Sequence, residues 1–241
     1  MIDLRTLDLT LSIAALVKSA ALLRLLLRLR PLPMRPPSAV TAMQRINQFI
    51  GRVPPWLVYV VAVFPPCWFL YLGLTGGLGV EPIKALEHKI GELALQILLV
   101  TLAVRPLREI VGINLLKHRR ALGVVTFFYV LCHLLVWLVL DVQILSEIWA
   151  DIIKRPYITV GMASFILMLP LAVTSNNRSL RKLGPKRWNA MHRLMYPLAL
   201  LASMHFVMLA KGFQIEPLIY LGITIVLIAL RWEGFRKLIR R

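Results

Sequence analysis

From residue 56 onward, the chain alternates between long apolar stretches and short polar connections. Six stretches are long enough, or nearly long enough, to cross the roughly 30 Å of membrane hydrocarbon as helices. They cover residues 56–75, 88–104, 121–140, 157–175, 194–210 and 217–230. Backbone groups in lipid must pair within their own segment, and these stretches do not alternate as barrel strands do. The pattern therefore predicts an all-α integral membrane protein, a bundle of six transmembrane helices.

The basic residues are concentrated in every second connection. The connection 105–120 carries five Lys and Arg residues and 176–193 carries six, whereas 76–87, 141–156 and 211–216 carry one or two each, beside acids. Lys and Arg in short loops favour the cytoplasmic side of the membrane. The first two connections are therefore predicted to be cytoplasmic, and six spans then place both termini in the cytoplasm as well.

The composition is 59% hydrophobic and 17% charged, and 29 Lys and Arg residues against 11 Asp and Glu give a net charge of +18. Because soluble domains are usually about one quarter charged, this excludes a soluble enzyme, a disordered tail and a disulfide scaffold. Basic loops between apolar stretches favour anionic membrane lipid as the partner, and we expect no nucleic acid. Cys67 and Cys132 lie in apolar stretches and are expected to pack there.

Three regions follow from the pattern: a basic extension over residues 1–45, the helical domain over 56–231, and a basic cytoplasmic tail over 232–241. The apolar part of the extension is interrupted by three cations, and two interpretations stay open. It is a cationic helix in the membrane interface, or the translation start is placed too early and Met34 or Met43 is the true start. No cleavage site typical of a signal peptide follows it.

Two of the five histidines lie deep in the predicted membrane. His133 follows Arg120 by 13 residues and His205 follows Arg193 by 12, so both lie about 18–20 Å from the cytoplasmic face. Ionisable side chains at this depth are costly and are functional candidates. Two imidazoles at one depth on different helices can bind one haem iron from opposite sides, which is the interpretation we favour. The alternative is a pair of buried histidines bonded to backbone carbonyls or to each other.

The other histidines are predicted nearer the membrane faces. His192, 13 residues before His205, lies at the cytoplasmic mouth, where it serves a second redox group or is an interfacial histidine of a basic loop. His88 begins the second helix at the outer face, either near the haem edge or in the headgroup layer. His118 stands in a basic run and is expected to be solvated or to contact headgroups. The inner basic loops could also hold a phosphate-bearing cofactor such as flavin mononucleotide (FMN), although the chain has no glycine-rich phosphate loop.

Several short motifs occur in order along the helical domain. They are TGGLGVEP at 75–82, LEHKIG at 86–91, RRALG at 119–123, LCHL at 131–134, KRPYITVG at 154–161, KLG at 182–184, and then Trp188, His192 and His205. With these motifs the chain resembles the MsrQ family, the haem-binding membrane subunits of bacterial protein-methionine-sulfoxide reductases, within the ferric-reductase-like transmembrane group. The resemblance covers residues 56–231.

The resemblance implies one or two haem b groups, with His133 and His205 as the main axial ligands, and a bound FMN. It also implies an electron-transfer subunit of the bacterial inner membrane, which takes electrons from the quinone pool or a cytoplasmic flavin reductase. A periplasmic molybdopterin-containing MsrP-like subunit would receive them and reduce methionine sulfoxide. His88 and His192 match further histidines discussed as ligands in the family. Related ferric reductases carry an inner histidine 14 positions before the outer one; here that position is Arg119, which leaves His192 for a second haem with another partner or for the flavin.

Two other functions fit the same sequence. A quinol-linked cytochrome b with a different acceptor would use the same residues. A small membrane transporter or proton channel would use the histidines for titration. Against the transporter, the halves of the chain show no recognisable repeat, which many transporters have, and no intramembrane acid is expected to pair with His133 and His205.

Overall fold

The computed structural model describes residues 37–210 and 214–231, and within these residues every regular element is a helix. The helices are α1 (Pro37–Arg52), α2 (Pro55–Leu74), α3 (Pro82–Pro106), α4 (Arg119–Leu135), α5 (Leu145–Lys154), α6 (Pro156–Val173), α7 (Asn177–Met191), α8 (Met195–Leu209) and α9 (Ile215–Arg231). π-helical turns extend α3 over Leu107–Val111 and α4 over Val136–Val142, and a 3₁₀ turn, His192–Leu194, joins α7 to α8. The predicted all-α class is confirmed.

Proline and glycine mark several helix boundaries. Pro55, Pro82 and Pro156 each occupy the first turn of a helix, where the missing N–H would have no helical partner and the fixed φ suits the helix. Gly112 ends the π-helical extension of α3 with a φ of 88°, a left-handed conformation that glycine adopts without a steric penalty. These signals are local, which is why the sequence pattern locates the long apolar helices. The helices α1, α5 and α7 were not predicted, because α5 and α7 lie in the polar connections 141–156 and 176–193 and α1 overlaps the basic extension.

Four helices are long and apolar enough to cross a membrane: α2, α3 with its extension, α4 with its extension, and α6. The helices α8 and α9 have 15 and 17 residues, fewer than the roughly 20 of a typical span. The predicted multi-pass membrane architecture is therefore supported for four helices, whereas spanning by α8 and α9, and with it the cytoplasmic location of both termini, stays a prediction.

Helix α3 lies at the centre of the bundle. One buried cluster joins it to α6 and α8 through residues such as Leu102, Met168 and Leu198, and a second joins it to α2 and α4 through residues such as Ile90 and Tyr129. In lipid, helices gain little from burying apolar surface, so close packing and interhelical hydrogen bonds hold them together. By contrast, α2 exposes most of its apolar side chains, as expected for a helix that faces lipid.

Polar contacts tie α1 to the connection between α3 and α4. Asn47 donates its side-chain amide to the Gly112 carbonyl at 2.9 Å and accepts the Asn114 N–H at 2.9 Å. His118 Nε2 lies 3.0 Å from the Val53 carbonyl oxygen, and this histidine is only 4% exposed. The expectation that His118 is solvated or contacts headgroups is therefore wrong, because the segment after α1 covers it. The part of the predicted basic extension before residue 37, and the tail 232–241, lie outside the described residues.

Candidate functional site

His133 projects from α4 onto the backbone of α3. Its Nδ1–H donates to the Glu87 carbonyl, with 3.0 Å between nitrogen and oxygen. The ring lies against Gly91, where a Cβ atom would come within 2.9 Å of Nδ1. Because real Cβ atoms do not approach other atoms so closely, this ring position requires glycine at residue 91.

His205 makes the same arrangement on the other pair of helices. Its Nδ1–H donates to the Tyr157 carbonyl of α6 at 2.6 Å, and a Cβ atom at Gly161 would come within 2.8 Å of Nδ1. In both pairs the accepting carbonyl lies four residues before the glycine, one helical turn away. The two helix pairs, α3 with α4 and α6 with α8, thus share one arrangement, in which a carbonyl and a glycine one turn apart orient an imidazole from the neighbouring helix.

The two rings meet between the helix pairs. Their centroids are 6.3 Å apart and their planes differ by 79°. A metal–imidazole bond is about 2 Å, and the nitrogen lies about 1.2 Å from its ring centre, so two ligands on opposite sides of one metal have centroids about 6.4 Å apart. Each backbone carbonyl accepts a hydrogen bond from Nδ1–H, so Nε2 of each neutral ring is the nitrogen that can bind a metal. Metal-binding histidines are usually oriented in this way. These residues therefore fit a bis-imidazole haem, and the carbonyl bonds of the alternative interpretation are part of the same geometry.

His88 and Cys132 are not brought into this pair. His88 is exposed in the second turn of α3. Within residues 37–210 and 214–231, no three His, Cys, Asp or Glu side chains gather as they would to hold a free metal ion. We call the end of the bundle with His133, His205, Gly91 and Gly161 the outer level.

The opposite end of the bundle contains a cavity of about 530 Å³, which we call the inner level. Its walls include His192, Trp188, Lys117, Arg119 and Arg120. It also reaches Phe127, whose ring stacks on Phe165 with centroids 6.1 Å apart. A cavity of this size suits a small cofactor, and its three cations favour a ligand that carries negative charge.

His192 is fixed at this cavity by contacts with α6 and α7. Its ring stacks on Trp188 with centroids 3.7 Å apart, and its Nε2 lies 3.4 Å from the Thr174 hydroxyl. Trp188 donates its indole N–H to the Thr174 carbonyl at 2.9 Å. Burial, and then the positive charges of Arg119 and Arg120, lower the pKa of His192 to about 4. The imidazole is therefore neutral at pH 7.

The inner level offers one imidazole where the outer level offers two. His118, the other histidine of the inner connections, is engaged with Val53 and does not line the cavity. Arg119 occupies the cavity wall instead. The walls of this cavity thus supply a single histidine, a stacked indole and several cations, a set better suited to an aromatic anion than to a bis-imidazole haem.

The sequence pattern did not reveal the residues that support the histidines. Gly91 and Gly161 stand in the quoted motifs, but their role depends on the ring packed against each of them. A further omission is Glu92 on α3, an intramembrane acid that accepts from Gln96 at 2.8 Å and from the Tyr220 hydroxyl at 3.1 Å. It thus bonds neutral groups of α3 and α9 and is no partner of the outer histidines.

Comparison with known proteins decides the family. A model of the ferric reductase like transmembrane component matches residues 89–203. Proteins named protein-methionine-sulfoxide reductase heme-binding subunit MsrQ are 46% identical to the chain. In Brucella anthropi the similarity covers 182 residues, 75% of this chain and 82% of the relative; in Agrobacterium fabrum it covers 177 residues, 73% and 82%. The chain belongs to the MsrQ family. The Brucella ovis member, also 46% identical, aligns over 191 residues, and no solved structure matches.

Proposed function

We propose that the chain is a membrane electron-transfer subunit that holds one haem b between His133 and His205. The observation that carries the proposal is the pair of imidazoles, each bonded through Nδ1 to a helix carbonyl, with centroids 6.3 Å apart. His133 and His205 would hold the group from two different helix pairs, and a haem b there would supply one-electron redox chemistry. The MsrQ relatives are named as heme-binding subunits, which supports the choice of group.

The protein's own residues would set the behaviour of this site. The Glu87 and Tyr157 carbonyls keep the ring tautomers fixed and increase the basicity of the ligand nitrogens. Gly91 and Gly161 allow the rings to approach the helix backbones. Since both His133 and His205 would hold the group, the site favours electron transfer over substrate binding, and reduction of methionine sulfoxide would occur on a separate catalytic subunit.

At the inner level we propose an FMN beside His192 and Trp188. The indole and imidazole offer flat surfaces for a flavin ring, and Lys117, Arg119 and Arg120 offer positive charge for its phosphate. The single histidine in the cavity walls favours flavin over a second haem. The proposed electron donor is a quinone or a cytoplasmic flavin reductase; a flavin beside His192 would supply one- and two-electron chemistry, and a haem between His133 and His205 would supply one-electron chemistry.

The acceptor we propose is a periplasmic molybdopterin-containing MsrP-like subunit, which would reduce oxidised methionines in envelope proteins. The subunit would lie in the bacterial inner membrane with six spans and both termini in the cytoplasm. The supporting observations are the basic inner connections, the family, and the position of the histidine pair at the end of the bundle away from those connections.

The test is the visible spectrum of the detergent-purified protein, oxidised and dithionite-reduced, with a pyridine haemochrome assay of haem per chain. His133→Ala and His205→Ala should each remove essentially all haem. Cys132→Ala changes the residue next to His133 and serves as the matched control with full haem. A His133→Ala protein with full haem and an unchanged spectrum contradicts the ligand assignment, and a colourless, folded wild-type protein from haem-replete cells would favour transport.

A further inference from the structure

The last residue of α9, Arg231, is a buried arginine with an unpaired donor among the described residues. It is 8% exposed, and its Nε is buried without a hydrogen-bond partner in that part of the chain. One Nη2–H donates to the Thr101 carbonyl at 3.4 Å, and the guanidinium lies 6.0 Å from the centre of the Tyr196 ring. A guanidinium is always charged and has five N–H donors, so a buried Nε–H without an acceptor points to a missing anionic or polar partner.

A second arginine lies at the same end of the bundle as Arg231. Arg119, at the start of α4, lines the inner cavity together with Thr101, whose carbonyl accepts from Arg231. Arg105 is paired with Glu109, with 3.0 Å between Nε and the carboxylate, whereas neither Arg119 nor Arg231 takes part in the ion pairs of the described residues. Two such charges in a poorly hydrated place repel each other and are costly without an anion.

The inner connections of the chain cannot supply that anion. Residues 105–120 contain one acid, Glu109, which is already bonded to Arg105, and residues 176–193 contain none. The other acid of the central helix, Glu92, bonds Gln96 and Tyr220 more than two helical turns away from Thr101. Among the described residues, the compensating charge is therefore missing at this end of the bundle.

We propose that Arg231 and Arg119 form a binding site for a phosphate group between the inner ends of α3, α4 and α9. A phosphate monoester carries about −1.5 to −2 charges at pH 7, which matches two uncompensated guanidinium groups, whereas a carboxylate would neutralise one. Guanidinium groups bind phosphate oxygens through paired N–H donors, and the N-terminal end of α4 adds partial positive charge. Thr101 and Arg119 also line the inner cavity, so the site adjoins that cavity.

The phosphate could belong to an anionic lipid or to a soluble phosphate monoester, of which FMN is one. The site itself does not depend on the haem proposal, since Arg231 lies about 15 Å along α3 from the level of Gly91, by the separation of Thr101 from Gly91. Haem content measured in the same samples therefore separates failure of this proposal from failure of the haem ligands.

The first experiment titrates inorganic phosphate into the detergent-purified full chain, with chloride at equal ionic strength as reference, and follows the thermal unfolding midpoint. Phosphate should raise the midpoint of the wild type. Arg231→Gln and Arg119→Gln should need about ten- to a hundredfold more phosphate for the same rise, because each loses charge-assisted hydrogen bonds. Arg187→Gln, at an exposed position of the same inner face, is the matched control. Equal responses of Arg231→Gln and the wild type would overturn the site.

A second pair of variants keeps the test valid if Arg231→Gln folds poorly. Arg231→Met removes the charge but keeps an apolar stem; it should unfold at a higher temperature than the wild type in phosphate-free buffer and lose that advantage when phosphate is added. Glu233→Gln tests whether the tail supplies the anion. If Glu233→Gln lowers the unfolding midpoint in phosphate-free buffer and enlarges the rise that phosphate produces, an internal ion pair replaces the proposed site.

The source of the phosphate is distinguished in two further arms. In nanodiscs of phosphatidylcholine with phosphatidic acid, a lipid-derived phosphate predicts a higher unfolding midpoint than in phosphatidylcholine alone, and no such rise in Arg231→Gln. A soluble source predicts that FMN raises the midpoint in phosphatidylcholine nanodiscs, again only with Arg231 present. If neither probe depends on Arg231, the proposal is wrong.

Discussion

The outer and inner levels of this bundle differ in how their histidines are held. At the outer level, His133 and His205 are each bonded to a carbonyl of a neighbouring helix and each packed against a glycine. At the inner level, His192 is alone, stacked on Trp188 beside a cavity with cationic walls. The outer arrangement fixes the position of two ligand nitrogens, whereas the inner arrangement provides a flat aromatic surface beside positive charges. One bundle thus contains a site suited to a metal-centred group and a site suited to a flat anionic group.

The largest expected effect comes from filling the glycine positions. Gly91→Ala or Gly161→Ala puts a Cβ within 2.9 or 2.8 Å of a ring nitrogen, so the imidazole must leave its carbonyl. We expect haem per chain to fall about tenfold or more, as for other changes that disturb the partners of metal ligands. Gly222→Ala is the control, because a Cβ there meets nothing within 4 Å. Haem retained by both outer variants would show that the glycines do not position the ligands.

A smaller and selective effect is expected at the inner level. His192→Ala should weaken FMN binding about tenfold by removing one stacked ring, while haem per chain stays at the wild-type value. Asn189→Ala, at an exposed position of α7, should change neither FMN binding nor haem content. Flavin released on denaturation and haemochrome are measured on the same preparation. If His192→Ala instead halves the haem and keeps the flavin, His192 ligates a second haem.

The smallest effect concerns acid stability. The pKa of His192 is lowered to about 4 by burial and by Arg119 and Arg120, so between pH 6.5 and 4 the unfolded chain binds a proton that the folded protein refuses. The lowered pKa of His192 therefore does not affect the free energy of unfolding above pH 6.5, and it reduces that free energy as the pH falls from 6.5 to 4. Relative to His192→Gln, the wild type should therefore lose a few additional degrees of unfolding temperature between pH 6.5 and 4. Parallel curves for the two proteins would contradict the burial of a neutral imidazole.

Much of this architecture follows from local sequence signals. Apolar stretches and first-turn prolines locate α2, α3, α4 and α6, and the residue counts from Arg120 and Arg193 correctly placed His133 and His205 at one level. Depth depends only on the rise of 1.5 Å per residue, so it can be read from the chain. The family resemblance stated from the motifs is confirmed by the MsrQ relatives.

The rest depends on how the helices rotate and meet. The bond from His133 to Glu87 joins residues 46 apart in the chain, and nothing in either segment specifies it alone. The burial of His118 follows from the position of Val53 after α1, in residues 46–55, which the sequence pattern assigned to neither the extension nor the helical domain. No local pattern indicates what Glu92 bonds to, because its partner Tyr220 lies 128 residues away. Such contacts are set by packing and are found only when the helices are assembled.

The repeated glycine–histidine arrangement also limits when a group can bind during membrane insertion of the chain. Each helix pair presents half of the outer site, and the second half arrives only when α8 has been inserted against α6, more than 70 residues after His133. A group held by both histidines would therefore bind late, after nearly the whole bundle is in the membrane, and would cross-link the two pairs from then on. If such a group is bound, loading of the outer site would require α8, because a chain interrupted before α8 lacks His205.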